Sequence, residues 1–337
     1  MALVLSEDQQ LLKDSAKNFC EQNAPVSVLR GLRDSKDEQG YDQAIWSQII
    51  ELGWAGMTIP EDYGGFDFGY GGLGVVLEET GKTLVSSPLI STVLVGATAI
   101  VQLGNETQKQ DLLPKIVAGE LLTALALDEH TNHNPSKIAT TATKVDGGYA
   151  LNGSKTFVLD GHVANMLIVA SRTSGETIGE QGISLFLVDA NAEGLNVVRT
   201  IMVDSRNSSN IQFNNVVVAE DALLGVLDQG FNGLDSVLDI ARIGIAAEML
   251  GSMQAVFESI LEFLKQREQF GVLIGSFQGL QHRAAEMYSE IELCKSAVRA
   301  ALAGLDDPDT TQAERAELAS MTKAKLSEVF FLVSNEG

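Results

Sequence analysis

Cysteine and positive charge are both scarce in this sequence. Its 337 residues include 2 cysteines, and 23 lysines and arginines stand against 45 aspartates and glutamates, for a net charge of −22. So few cysteines exclude a disulfide framework and fit a reducing compartment. The acidic balance argues against binding to nucleic acid or to an anionic membrane surface. The few cations therefore matter most where an anionic ligand has to be held.

Long apolar runs are lacking as well. The start, Met1–Glu7, has no basic segment and no extended apolar core, so it does not resemble a signal peptide. The best candidate for a membrane span, Leu89–Leu103, is too short and contains serine, threonine and glutamine, so we expect a buried helix there. We expect Cys294, on the apolar face of a helix, to be a buried small hydrophobe. A cytoplasmic protein without membrane insertion is the expectation.

The hydrophobic pattern changes twice along the chain. Apolar residues first recur at helical spacing, and Ser6 and Gln9 form a capping box at the first helix. From about Leu121 the segments are short, rich in Val, Ile, Leu and Phe, and bounded by Gly and Asn, which predicts strands. Helical spacing returns near Gly230. We therefore predict an α+β multidomain fold, with an all-α N-terminal domain at 1–119, a central β-barrel or sandwich at 120–222 and a C-terminal helical bundle at 223–337.

Within this frame the sequence predicts individual elements. The charged segment 30–40 is predicted to be a loop between two N-terminal helices, and Leu11 belongs to the apolar face of the first helix. The predicted strands are 121–127, 139–145, 149–159, 166–171, 184–188, 195–199 and 210–218.

The chemically richest stretch lies between two helical patterns near the C-terminal end. It reads Arg267-Glu-Gln-Phe270-Gly-Val-Leu-Ile-Gly-Ser-Phe-Gln278, and its glycines predict the turn of a helical hairpin. An arginine can pair with a phosphate, an aromatic ring can pack on a flat ring, and an amide can donate and accept hydrogen bonds. On spacing alone, a hinge with an incidental charge is the simpler interpretation.

The pattern Arg-x-x-Phe-Gly-x-x-Ile-x-x-Phe-Gln resembles the hairpin of the FAD-dependent acyl-CoA dehydrogenase family. The resemblance covers the whole chain, since the order of helices, β domain and helices is that of the family. The turn Pro60-Glu-Asp-Tyr-Gly-Gly65 is also similar to one in the family's N-terminal domain. The family resemblance implies that Arg267, Phe270 and Gln278 contact the FAD of a neighbouring subunit. A homotetramer or homodimer is implied as well, or a hetero-oligomer.

Two stretches of the central domain are similar to flavin-facing segments of the family. In 151–159, Phe157 takes the aromatic position beside the flavin ring, although a plain core position is the alternative. Leu159 replaces the usual hydroxyl residue, so only backbone groups could bond the flavin there. In 125–135 the match is poor, and Asp128 stands where a hydroxyl usually faces the flavin. The resemblance implies flavin contacts at Leu127, Asp128, Phe157 and Leu159, and a substrate contact at Asn134.

Asp128 is a physical departure from the family pattern. A carboxylate at that place would oppose the negative charge of a reduced flavin, so we expect the loop to follow a different path. His130 and His133 in the same loop could suggest a metal ion. Two histidines without further ligands do not make a site, and we expect no metal.

No residue of the sequence is assigned as the catalytic base. Family members remove a proton α to a thioester carbonyl with a carboxylate. Most carry a glutamate in a C-terminal segment, which is expected beyond Gly337, and a minority place it where this sequence has Ala241. Asp239 and Arg242 match an Asp-x-x-Arg pair that lines the acyl-CoA site, although Arg242 could also be a helix-end residue reaching solvent. The expectation is a fragment that lacks its last C-terminal segment and is inactive as given.

The resemblance implies an FAD-dependent acyl-CoA dehydrogenase. Such an enzyme desaturates an acyl-CoA thioester between its α and β carbons and passes the electrons to an electron-transfer flavoprotein. Two alternatives stay open. One is a non-catalytic partner subunit of a heteromeric dehydrogenase, suggested by Asp128, Leu159 and Ala241. The other is a flavin oxidase or monooxygenase on the same scaffold.

Overall fold

Helices come before and after a central sheet in the computed structural model, which describes residues 4–336. The fold class predicted from the sequence is confirmed. The helices before the sheet are α1 (Glu7–Asn23), α2 (Val26–Ser35), α3 (Gln43–Glu51), α4 (Gly69–Thr83), a π-helix (Leu89–Ala97), α5 (Thr98–Leu103) and α6 (Glu106–Val117). Those after it are α7 (Gly230–Gln266), α8 (Gln278–Asp306) and α9 (Gln312–Glu336). Short 3-10 turns occupy Trp54–Gly56, Glu61–Tyr63, Glu220–Ala222 and Ile274–Ser276.

Side-chain caps fix the starts of the N-terminal helices. The predicted capping box at α1 is confirmed, since the Ser6 hydroxyl accepts from Gln9 N at 3.1 Å and Gln9 Oε1 accepts from Ser6 N at 3.1 Å. Asn105 and Gln108 form a second box at α6. Such boxes satisfy backbone donors that the first turn of a helix leaves unpaired.

Three expectations for the helical segments are corrected or refined. The segment 30–40, predicted as a loop, is helical as far as Ser35, because Leu29 and Leu32 lie three residues apart and give α2 a half-buried apolar face. Leu11 is 69% exposed, so it lies outside the apolar face of α1. The buried helix predicted at Leu89–Leu103 is confirmed, although its first nine residues have π-helical hydrogen bonding.

The sheet contains the seven strands that the sequence predicts, and one more. Its strands are β1 (Thr123–Ala126), β2 (Thr141–Val145), β3 (Gly148–Leu159), β4 (Met166–Arg172), β5 (Ile183–Asp189), β6 (Leu195–Ile201), β7 (Asn207–Ala219) and β8 (Leu223–Leu224). The order is β6-β7-β3-β2-β4-β5-β8, and β1 pairs in parallel with β4. The two-residue β8 was not predicted, and neither was a small antiparallel hairpin of β9 (Glu268–Gln269) and β10 (Val272–Leu273).

The chain divides into two compact units. The sheet unit comprises 30–67 and 86–238, and its core collects the inward-facing residues of the strands, such as Leu151, Phe186 and Phe213. The other unit, the helical unit, comprises the described residues of 1–29, 68–85 and 239–337. Cys20 and Cys294 lie buried in it, as the sequence predicts for Cys294. Burial raises the pKa of the Cys20 thiol to about 12, so this sulfur is not a reactive thiolate.

The helical unit buries charge as well as apolar surface. The Glu78 carboxylate on α4 accepts from Lys13 Nζ at 2.5 Å and from Arg299 Nη2 at 2.7 Å.

Within the described residues, α7 is long and apolar enough to cross a membrane on length and composition, but 61% of its most apolar window is buried in the protein. A buried core helix meets the same criteria.

Candidate functional site

Phe157 is turned out of the sheet at an irregularity in β3. The pairing of β3 with β7 shifts register between Lys155 and Val158, and the backbone of Phe157 adopts a left-handed φ of 53°. A bulge of this kind re-aims a side chain, and a left-handed φ is strained for a bulky residue. The ring is 48% exposed, so the alternative of a plain core position is wrong. The strain favours a ligand-facing role for the ring.

The loop that follows β1 is hydrogen-bonded to the residue before Phe157. The Thr156 amide donates to the Asp128 carbonyl at 2.7 Å, which fixes the loop against the residue before Phe157. Leu127 is buried, and its carbonyl accepts from Lys155 Nζ at 2.9 Å. The structure thus brings together three residues that the sequence proposed for flavin contacts, namely Leu127, Asp128 and Phe157.

A buried ion pair between Lys155 and Glu129 anchors the loop that follows β1. Lys155 Nζ donates to Glu129 Oε1 at 2.8 Å, and the same carboxylate accepts from the Ala139 and Thr140 amides at 2.7 and 2.9 Å. Burial lowers the pKa of Lys155 to about 8, and Glu129 opposes that shift. Burial also tends to raise the pKa of Glu129, but the Lys155 charge and the amide donors outweigh it and hold that pKa below its usual range. The pair is therefore ionised at neutral pH.

Asp128 is held by a histidine that the sequence did not indicate as its partner. His133 Nδ1 lies 2.9 Å from one Asp128 oxygen and 3.1 Å from the other. Asn134, the proposed substrate contact, is exposed and accepts from the Ser136 hydroxyl at 2.9 Å. Within residues 4–336, no cluster of three or more histidine, cysteine or acidic side chains could hold a metal ion.

Leu159 ends β3, and the residue after it is a buried carboxyl. Leu159 is half-buried and pairs with Ser208 of β7. Asp160 Oδ2 accepts from the Ser91 hydroxyl of the π-helix at 2.6 Å. Burial raises the pKa of Asp160 to about 6, although hydrogen bonds from Ser91 and Asn207 act in the opposite direction. Sequence reasoning missed this group, because nothing in a pattern of residue types shows which loop carboxyl becomes buried.

The hairpin residues belong to the helical unit. The turn at Phe270 and Gly271 joins β9 to β10 with left-handed φ values of 57° and 78°, which is typical of a tight two-residue turn. The Phe270 ring is 93% exposed and meets Phe277, edge-on, at 6.3 Å between centroids. Arg267 and Gln278 are exposed. In the described part of the chain, the Arg267 guanidinium makes no hydrogen bond or ion pair.

The proposed substrate pair also lies in the helical unit, on α7. Arg242 Nη1 donates to Asp239 Oδ1 at 2.5 Å, and the Asp239 side chain is nearly buried. Ala241, between them, is buried and carries no functional group. The pair therefore presents a half-exposed guanidinium that its own carboxylate orients.

Each of the two units, taken by itself, supplies residues that fit a part of an FAD. The exposed ring of Phe157, beside a loop of fixed conformation, offers a surface for a flat heterocycle. Arg267 offers a cation without a protein partner in the described residues, which suits a pyrophosphate. Leu159 brings no side-chain donor to the flavin edge.

Comparison with known proteins gives consistent matches along the chain. Three family models match: the acyl-CoA dehydrogenase N-terminal domain at 6–120, the middle domain at 125–216 and the C-terminal domain at 228–337. A 2-methylacyl-CoA dehydrogenase from Solanum tuberosum is 32% identical, over 91% of this chain and 75% of its own. Butyryl-CoA dehydrogenase from Megasphaera elsdenii has a similar structure, with a TM-score of 0.88 at 28% identity, over 100% of this chain and 88% of that one.

A further solved structure concerns the electron transferring flavoprotein of Acidaminococcus fermentans. One of its chains matches with a TM-score of 0.88 at 30% identity, over 100% of this chain and 88% of that one.

Proposed function

Because this chain belongs to the acyl-CoA dehydrogenase family of oxidoreductases, we propose that it binds FAD and desaturates an acyl-CoA thioester between the α and β carbons. The electrons would pass to an electron-transfer flavoprotein, a partner suggested by the similarity to a chain from a structure of such a protein. The names of the relatives favour a short or branched acyl group. A cytoplasmic location stays a prediction.

The position of Phe157 is the observation that carries this proposal. An aromatic side chain that is half-exposed and held in a strained backbone conformation has no evident structural purpose in the sheet. The neighbouring loop is anchored by a buried ion pair, so the ring faces outward from a rigid support. A flavin ring packed on Phe157 would account for this exposed and strained side chain.

The remaining site residues take roles that their chemistry allows. Leu127, Asp128 and Leu159 would border the flavin, and Arg267, Phe270 and Gln278 would contact the FAD of a neighbouring subunit. Asn134, Asp239 and Arg242 would meet the acyl-CoA, with the guanidinium of Arg242 suited to its phosphates or its thioester end. When bound, FAD supplies the two-electron acceptor. The protein's part is to exclude water and to orient the substrate against that acceptor.

A non-catalytic partner subunit is the second candidate. Ala241 is buried on α7, and Leu159 offers only its backbone to the flavin, so neither position carries the functional group that the family resemblance associates with it, in a minority of members for Ala241. Such a subunit would bind FAD or a partner without reacting with acyl-CoA. The two candidates differ in whether an acyl-CoA reduces the bound flavin.

The proposed flavin site can be tested at Phe157. Phe157→Leu keeps an apolar side chain and the same backbone demand but removes the flat ring, so we expect FAD to dissociate about tenfold more readily. Phe157→Tyr should stay within about twofold of the native protein, because the ring is retained. Phe331→Leu, at an exposed phenylalanine of α9, is the matched control. Fluorescence titration of the apoprotein with FAD measures all four affinities, and an unchanged affinity in Phe157→Leu would contradict the assignment.

A further inference from the structure

The contact between Asp128 and His133 is an ionisable pair open to solvent. Both Asp128 oxygens lie within hydrogen-bond distance of His133 Nδ1, at 2.9 and 3.1 Å. The side chains are 24% and 51% exposed, so protons from solvent can reach the imidazole. The Asp128 backbone is fixed by the Thr156 amide, one residue before Phe157. Asp128 therefore lies beside the strand that carries Phe157.

The net charge of the Asp128–His133 pair depends on whether His133 is protonated, because the neighbouring charged groups already have partners. Lys155 on β3 and Glu129 in the loop neutralise each other in their buried ion pair. Arg172 on β4 also contributes positive charge, but its guanidinium is engaged with backbone carbonyls of Ser136, Thr177 and Gly179. Asp128 thus adds one negative charge, which a protonated His133 cancels and a neutral His133 does not.

We propose that His133 is a proton-coupled positioning residue for the flavin, which takes up a proton when negative charge arrives beside Asp128. This rests on the proposed binding of FAD at Phe157. Two electrons and one proton convert an oxidised flavin into its monoanion. His133 binds one further proton from solvent, so the Asp128 carboxylate is neutralised as the new charge appears. A carboxylate that would otherwise oppose reduction becomes compatible with it.

The proposal predicts an extra proton in the redox equilibrium. In the holoprotein, the dependence of the flavin's reduction potential on pH gives the number of protons bound per two electrons. A reduced flavin can itself take up a second proton near neutral pH, so the count is read as a difference between proteins. In part of the range of about pH 5 to 8, where histidines titrate, we expect the native protein to bind up to one proton more than His133→Gln. His133→Gln keeps a hydrogen-bond donor without the titration, so its proton count should be that of the flavin alone. Asp128→Asn should also lose most of the additional proton, because no carboxylate is left for an imidazolium to neutralise.

His130→Gln is the matched control. His130 lies in the same loop and is exposed, and within residues 4–336 it makes no hydrogen bond or ion pair. This variant should keep the native proton count. A proton from Lys155, whose pKa is about 8, would instead appear at the alkaline end and persist in His133→Gln.

The outcomes separate this inference from the function on which it rests. FAD binding with the same proton count in the native protein, His133→Gln and His130→Gln would overturn the inference alone. A protein that binds no FAD would overturn the proposed function and the inference together. Dithionite reduces the flavin in this titration, so the measurement does not depend on turnover of any acyl-CoA.

Discussion

Asp160 shows how strongly one buried carboxyl can link stability to pH. Its pKa is raised from 3.8 to about 6 by burial, so the folded state holds the proton more tightly than the unfolded chain. The stabilisation from this proton is fully present below the unfolded pKa and is lost as the pH rises through about 6. A shift of this size corresponds to roughly 3 kcal/mol.

Asp160→Asn should remove that dependence. Asparagine tolerates the left-handed φ of 55° found here and can still accept from Ser91. We expect the variant to exceed the native protein in free energy of unfolding at about pH 8 by up to roughly 3 kcal/mol, and to lose that advantage near pH 4. Urea denaturation at both pH values measures this, with the exposed Asp146→Asn as control. A variant equally destabilised at both values would show that the carboxyl carries no such penalty.

At the residue scale, sequence reasoning found side chains but not their surroundings. Phe157 and Asp128 were identified from a resemblance, and the structure hydrogen-bonds Asp128 to the residue before Phe157. The strained backbone of Phe157 depends on the register of β7, which lies about 50 residues further along the chain. The sequence shows His133 in the same loop as Asp128, but the contact between them depends on how the loop folds back.

At the scale of elements, small residues set how closely helices approach. A Cβ added at Gly251 of α7 would lie 1.7 Å from the carbonyl oxygen of Glu78 in α4, and one at Gly81 would lie 2.1 Å from the carbonyl oxygen of Glu248. These neighbours are backbone atoms, which cannot rotate away. The two helices therefore touch along their backbones, and the contact depends on glycine from both of them.

Gly251→Ala should accordingly be severe. The added methyl forces the helices apart around the buried Glu78, so we expect a loss of about 3 kcal/mol or more in the free energy of unfolding. Gly279→Ala is the control, because nothing lies within 4 Å of its added Cβ. That variant should be neutral or stabilised by up to about 1 kcal/mol through helix propensity. Equal midpoints in urea for the two variants would contradict the close contact.

Elements with strong local signals were predicted, and those set by tertiary contacts were not. The seven longer strands follow from short apolar segments bounded by Gly and Asn, and α1 follows from its capping box. The helix α2 was missed, because its many charged residues suggested a loop. The strands β8, β9 and β10 are two residues long and carry no period that a sequence could show.

At the scale of the whole molecule, exposed apolar side chains argue for assembly. Phe263, Phe270, Tyr288 and Leu293 are exposed on the helical hairpin of the helical unit and its turn. Large apolar side chains exposed along one hairpin indicate an interaction site. We therefore propose that the protein forms a dimer or tetramer through this hairpin, as the resemblance implies.

Sedimentation equilibrium of the full-length protein tests the assembly. We expect a multiple of the single-chain mass at micromolar concentrations. Phe270→Asp should shift the distribution toward single chains, because a charge would be buried in the interface. Val198→Asp, at an exposed position of β6 in the sheet unit, should leave the distribution unchanged. Single chains at every concentration, for the native protein, would be incompatible with the proposal.

The proposed function requires that the protein oxidises an acyl-CoA with a bound flavin. The most direct measurement is anaerobic titration of the FAD-loaded, full-length protein with a panel of straight-chain and branched acyl-CoAs, followed in the visible absorbance band of the flavin. We expect at least one acyl-CoA to bleach the band and an enoyl-CoA to form in equal amount. A flavin that dithionite bleaches but no acyl-CoA of the panel does would contradict it and favour the non-catalytic subunit.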